Sequence, residues 1–135
     1  MTEDDKQSVR RRATAILIRN DRVLLLREPQ DTEFHLPGGG VEQGELPISG
    51  VARELHEETG LSASKIEYLF NYYEDWGEDG IHFSDQDRSV FRIEADGEIR
   101  LSPEIQEYIW WDRATDLRLF KWVKPMLSRY DGLSQ

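Results

Sequence analysis

The sequence predicts an α/β fold in the broad, α+β sense: a mixed β-sheet held between helices. Three observations carry that expectation. Short apolar runs of strand composition occur both before and after one central stretch of good helix formers. The central stretch is bounded by Pro47, which suits a first helical turn, and by Gly60, which suits the position just past a helix end. A second amphipathic stretch follows later in the chain, its apolar residues including Trp122, Val123, Met126 and Leu127. Pattern alone leaves several strand orders open.

The 135 residues favour a single domain over 1–135, with 1–9 a polar tail, and no repeat, linker or low-complexity tract divides them. Formal net charge is −10. That balance disfavours a nucleic-acid polymer or an anionic membrane as main partner, because both select basic surfaces. It does not exclude a nucleotide that arrives with a divalent cation, since the metal supplies the local positive charge. Absence of cysteine removes disulfides and thiol chemistry. No apolar run approaches transmembrane length and Met1 to Ser8 is almost wholly polar, so a cytoplasmic location is expected.

Arg10, Arg11 and Arg12 form a small basic cluster that reads as a solvated strand start, with a phosphate site as the alternative. Ala13 to Ile18 and Val23 to Leu26 are apolar strands, and Asn20-Asp21 between them is a tight hairpin turn. Their near-continuous apolarity implies cover on both faces. Arg27 leaves the second strand; it is expected in a surface ion pair, with reach to a substrate phosphate as the alternative. Pro29 to Thr32 is a loop, and Phe34-His35-Leu36 is a short strand feeding the glycines. His35 is expected at a structural or rim position, since nothing in the sequence pairs it with a nucleophile.

Pro37, Gly38, Gly39, Gly40 and Gly44 exclude a helix interior before Pro47. In the helix that follows, Ile48, Val51, Ala52 and Leu55 fall on one stripe at about 100° per residue. Glu54, Glu57 and Glu58 fall on a neighbouring face together with Gly50. Carboxylates at such spacing repel one another, by about a few tenths of a kcal/mol per pair. Either the face is simply solvated, or a cation offsets the repulsion; a hard divalent ion with oxygen ligands, Mg²⁺ above all, is the natural candidate.

Beyond the helix, Ile66 to Tyr73 is a strand, Glu74 to Gly80 an acidic loop, and Ile81 to Phe83 a short strand. Ser84 to Asp87 is a break, Ser89 to Ala95 a firmer strand and Asp96-Gly97 a turn. Ser102-Pro103-Glu104 opens the next segment and Tyr108 to Trp111 is a strand. A helix from about Phe120, with Pro125 as an irregularity, closes this reading. Tyr72, Tyr73, Trp76 and Phe83 are candidates either for core packing or for stacking on a base. Trp76, in a polar loop, is the best placed of them for a ligand.

Gly39, five residues, Glu45, seven residues, and then Arg53-Glu54-Leu55-His56-Glu57-Glu58-Thr59-Gly60-Leu61 resembles the Nudix box at every defined position, and the preceding Leu-Pro-Gly-Gly resembles its lead-in. The resemblance implies a Nudix-type α/β/α sandwich. It implies a MutT-like pyrophosphohydrolase that cleaves a diphosphate linkage in a nucleoside diphosphate joined to another group, with Mg²⁺ as cofactor and Mn²⁺ as a substitute. Glu57 and Glu58 would be the main metal ligands, with the Gly38 carbonyl, and Glu54 would bind a second ion or act as base. Arg53 would orient the glutamates, while Glu45 and Gly60 would support the box. A glutamate from outside it is expected before the Trp110 strand; Glu104 is favoured over Glu107. Arg27, His35, Gly39, Tyr73 and Trp76 are the substrate-binding candidates. The partner is a nucleotide-type small molecule, and monomer or homodimer are both open. The alternative reading is a nucleotide-binding sensor that has kept the fold and lost turnover.

Overall fold

The computed structural model describes residues 9–74 and 85–133. Its first two strands, β1 (Val9–Arg19) and β2 (Arg22–Arg27), form the expected hairpin, with Ile18 opposite Val23. Asn20 and Asp21 both take positive φ, 51° and 64°, as a two-residue turn of this twist requires. The glycine stretch, expected as a loop, contains a three-residue strand, β3 (Gly38–Gly40), antiparallel to the early part of β1. Helix α1 (Pro47–Thr59) follows as expected. Next come β4 (Ser62–Glu74), β5 (Asp85–Asp96), β6 (Glu107–Trp111) and helix α2 (Val123–Leu133).

The sheet runs β4-β5-β1-β2-β6, with β3 sharing an edge of β1. Among the described strands, only β1 and β5 pair in parallel, from Val9 opposite Asp85 to Leu17 opposite Ile93. This is the expected mixed sheet. Its two faces separate along β1 and β2 by simple alternation. Ala13, Ala15, Leu17, Leu24 and Leu26 pack with Val51 and Leu55 of α1. Ile16, Val23 and Leu25 pack with Val123, Met126 and Leu127 of α2. One helix covers each face, which is why the strands read as continuous apolar runs.

Several boundaries differ from expectation, and the strand expected over Phe34-His35-Leu36 is reduced to isolated bridges at Phe34 and His35. Val9 already belongs to β1. Ser62 to Lys65 lengthen β4 at its start. Asp85 to Asp87, expected as a break, are strand because β1 pairs them on one side and Tyr73 and Glu74 engage Asp87 and Gln86 on the other. Phe120 lies outside α2: its N–H donates to the Phe34 carbonyl at 3.0 Å, and Phe34 bridges Leu119. That tie holds the segment extended, so Pro125 falls in the first helical turn, where no amide donor is needed. Residues 75–80 of the expected acidic loop and the strand expected over 81–83 lie outside the described residues, and with them Trp76 and Phe83.

Gly38 is the tightest backbone approach in this frame. Its φ is 144°, and a Cβ there would stand 2.1 Å from the Ala13 carbonyl oxygen. Gly38→Ala is expected to destabilise the chain by about 1–3 kcal/mol through strain at a glycine-only conformation. Gly132→Ala, in α2 with open space around it, is expected to be neutral or to stabilise by up to about 1 kcal/mol. Urea denaturation of the two variants checks both signs.

Candidate active site

Helix α1 is set by its ends. Pro47 begins it, and Gly60, left-handed at φ 77°, ends it with an N–H bond to the His56 carbonyl. Two further carbonyls are satisfied from the 99–106 segment: the Arg100 N–H donates to Thr59 at 2.7 Å and the Ser102 N–H to Glu58 at 3.1 Å. The buried stripe is narrower than expected, because Ile48 is exposed while Val51 and Leu55 are not.

With the helix held this way, its carboxylates meet different surroundings. Glu58 is buried, 8% exposed, and accepts the Gly38 N–H at 3.0 Å. Burial pushes its pKa up to about 8, against the pull of that N–H and of His35. Glu54 packs over Gly39, where a Cβ would stand 2.4 Å from its carboxyl carbon; the missing side chain makes the room. Burial raises Glu54 too, with the Arg53 charge opposing. Glu57 is mainly exposed.

Arg53 gathers these groups. Its Nε and Nη2 donate to the two oxygens of Glu45 at 2.8 and 2.9 Å, a bidentate pair. Nη1 donates to Glu54 at 3.2 Å and to Glu57 at 3.1 Å, and Nη2 also reaches the Gly40 carbonyl at 3.1 Å. The bidentate grip thus falls on Glu45 rather than on the helix glutamates. Arg53, together with the Glu42 N–H, holds Glu45 down at about 2.

Among the described residues no three acidic or imidazole groups converge as a ready-made metal cluster. The donor set nonetheless fits a hard cation. Glu54 and Glu58 are oxygen donors on one face, and both resist ionisation through burial. A nearby divalent charge offsets that penalty.

The outlying candidates separate clearly. Glu104 is exposed in a turn, and its side chain makes no hydrogen bond or ion pair among the described residues. Glu107 lies in β6 and accepts Arg27 Nε at 2.7 Å, while Arg27 Nη1 donates to the Asp31 carbonyl at 2.8 Å. Arg27 is therefore engaged in an ion pair. His35 is buried, with Nδ1 2.8 Å from the Leu36 carbonyl and Nε2 3.2 Å from a Glu28 oxygen. Burial lowers its pKa, but Glu28 and the Leu36 carbonyl outweigh that and leave it raised. Tyr73 is exposed and its hydroxyl donates to Asp85 at 2.6 Å.

Sequence reasoning missed a cleft of about 110 Å³ that borders Gly38 and is lined by Arg12, Glu28, His35, Arg88 and Trp122 among others. Arg12 was expected in solvent with its neighbours; Arg10 and Arg11 are exposed, but Arg12 is half-buried. Arg88 was not singled out, and no local pattern marks it.

Glu58 holds its proton more tightly in the folded chain than at its ordinary value of 4.5. Its contribution to stability is therefore complete below that value and is lost as pH rises through about 8. Glu58→Gln keeps an acceptor for the Gly38 N–H but cannot ionise. In chelator, it is expected to overtake the parent chain in stability as pH rises from about 6 to about 9. Urea denaturation across that range reads the crossing; parallel curves would mean that Glu58 ionises freely.

Comparison with known proteins places this geometry. The NUDIX domain family matches residues 9–130. An RNA pyrophosphohydrolase of Francisella philomiragia is 36% identical over 66 residues, covering 48% of this chain and 43% of that protein. The chain spans less than half the length of the curated relatives it matches first. The crystal structure of a MutT protein from Methanosarcina mazei Go1 superposes with a TM-score of 0.81 at 22% identity, covering 96% of this chain and 98% of that one. An ADP-ribose pyrophosphatase of Streptococcus suis gives 0.70 at 18% identity, covering 95% and 93%. At such identities the structures attest the fold, and the family match over nearly the whole described chain attests the rest: this chain belongs to the Nudix family.

Proposed function

We propose that this chain is a divalent-cation-dependent pyrophosphohydrolase that cleaves a diphosphate linkage in a nucleoside diphosphate joined to another group. The carrying observation is the single face on which Glu54 and Glu58, both resisting ionisation, stand beside the glycine strand with Arg53 bracing the loop. Family membership and the pyrophosphohydrolase names of the curated relatives support it. The substrate classes it covers are nucleoside triphosphates, ADP-ribose, nucleotide sugars and dinucleoside polyphosphates. The acidic balance favours such small molecules over a nucleic-acid polymer.

Glu54, Glu57, Glu58, the Gly38 carbonyl and Glu104 would hold the metal, Mg²⁺ with Mn²⁺ as substitute. When bound, a divalent ion neutralises phosphoryl charge and lowers the pKa of water. The reaction adds a water oxygen to phosphorus, breaks the bridging P–O bond and passes the water's proton to a carboxylate. Glu54 suits that last role, because burial against Gly39 raises its proton affinity; Glu104, exposed in its turn, is the rival base. Arg53 keeps Glu54 and Glu57 from moving apart by their mutual repulsion. Glu45 locks Arg53 to the loop.

A hydrolysis panel of these substrate classes, with and without Mg²⁺ and with products identified chromatographically, is the direct test. Glu57→Gln and Glu58→Gln are expected to lower metal-dependent turnover by about 10²–10³-fold with folding intact. Normal hydrolysis by either variant would overturn the mechanism. Glu104→Ala is expected to cut turnover and Glu107→Ala to spare it; the reverse result would reassign the glutamate outside the box.

A further inference from the structure

Beside Gly38 the surface changes sign. Arg12 and Arg88 are direct partners in the parallel pairing of β1 with β5, so their side chains leave the same face of the sheet. That is the face covered by α2, since Ile16 and Val90, at even spacing from them, pack against it. Two like charges so placed repel each other. The nearby carboxylates do not fully answer them. Glu28 accepts Gln30 at 2.9 Å and lies 3.2 Å from His35 Nε2, and Glu58 accepts the Gly38 N–H. Glu74 accepts Arg88 Nη2 at 3.1 Å, yet Arg88 Nε remains buried without a partner. Arg12 Nε is likewise buried and unpartnered, and the Arg12 side chain makes no hydrogen bond or ion pair among the described residues. In a chain with 27 acidic and 17 basic residues, a guanidinium with no carboxylate in hydrogen-bonding contact among the described residues is conspicuous; Glu28, Glu54 and Glu58 act on it only through space.

The aromatic surface in this cleft is already in use. The Arg88 guanidinium lies 4.0 Å over the Trp122 ring, and Trp122 stacks with Phe120 at 6.4 Å. A neutral base entering here would have to displace Arg88 from the indole. An anion needs no such rearrangement, because arginine presents a fork of donors that matches phosphate oxygens.

We propose that the Arg12–Arg88 cleft binds a phosphate group of the substrate additional to the one attacked beside α1. The inference rests on the hydrolase reading above and deepens it: Gly38 borders both the cleft and Glu58, so one phosphate chain can span the two. The substrate class is then one with phosphoryl charge on this side of the scissile linkage, such as a nucleoside triphosphate or another phosphate-extended nucleotide. A substrate that presents a neutral sugar at this point is disfavoured.

The experiment is calorimetric titration of the full chain with inorganic pyrophosphate in chelator, with adenosine as the neutral probe and circular dichroism to confirm folding. The parent chain is expected to bind pyrophosphate in preference to adenosine, with affinity that falls as salt rises. Arg12→Gln is expected to weaken pyrophosphate binding by about 10- to 100-fold, the cost of a lost hydrogen bond to a charged group. Arg12→Lys keeps the charge without the fork and is expected to fall between. Arg88→Lys, which preserves the pairing to Glu74, is expected to weaken binding as well, and Arg22→Gln on the exposed start of β2 to leave it unchanged. Absence of pyrophosphate binding by the parent chain, equal affinity for adenosine, or unchanged binding in both Arg12→Gln and Arg88→Lys would overturn the proposal. No metal is present and no turnover is read, so failure here leaves the hydrolase reading standing, and failure of the hydrolysis panel leaves this result standing.

Discussion

One guanidinium holds this site together. Arg53 joins Glu45 in the loop, the Gly40 carbonyl on β3 and two glutamates of its own helix. Without that cation the carboxylates of α1 would only repel one another, and nothing polar would tie the loop to the helix at this point. Arginine suits the task because its donors diverge in a plane, so one side chain can bridge three structural pieces. Lysine, a point charge on a flexible stem, cannot grip Glu45 in two places and reach Gly40 as well.

The second constraint is steric. Gly38 lets two strands, and Gly39 a strand and a helix, come closer than side chains would permit. At Gly38 the backbone meets the Ala13 carbonyl, and at Gly39 the Glu54 carboxyl takes the space of a Cβ. Glu58 closes the arrangement by accepting the Gly38 N–H, which joins helix to strand through a buried carboxylate. Burial there raises the proton affinity of Glu58, an electrostatic cost that a bound cation would offset under the proposed function.

Charge is distributed against the average of the chain. Under the proposed function, a molecule of net charge −10 would need local positive potential to hold phosphates. The α1 face would gain it from the proposed metal, whereas the cleft across Gly38 has it built in through Arg12 and Arg88. The two regions share Gly38 but differ in kind. One is a set of hard oxygen donors, the other a pair of guanidinium groups, of which Arg88 lies over the Trp122 ring.

What the sequence determined by itself was local in origin. Helix α1, its limits at Pro47 and Gly60, and the grouping of Glu54, Glu57 and Glu58 follow from spacing along one helix, where neighbours in space are three or four residues apart. The Asn20-Asp21 turn and the two-faced burial of β1 and β2 were legible for the same reason. Tertiary structure decided the rest. It converted the glycine stretch into β3, held Phe120 extended against Phe34 and drew Asp85 to Asp87 into β5. It also gave the bidentate grip of Arg53 to Glu45. Above all it set Arg12 against Arg88, because a parallel pair joins segments far apart in the chain, and no local period records which residues such a pairing brings face to face.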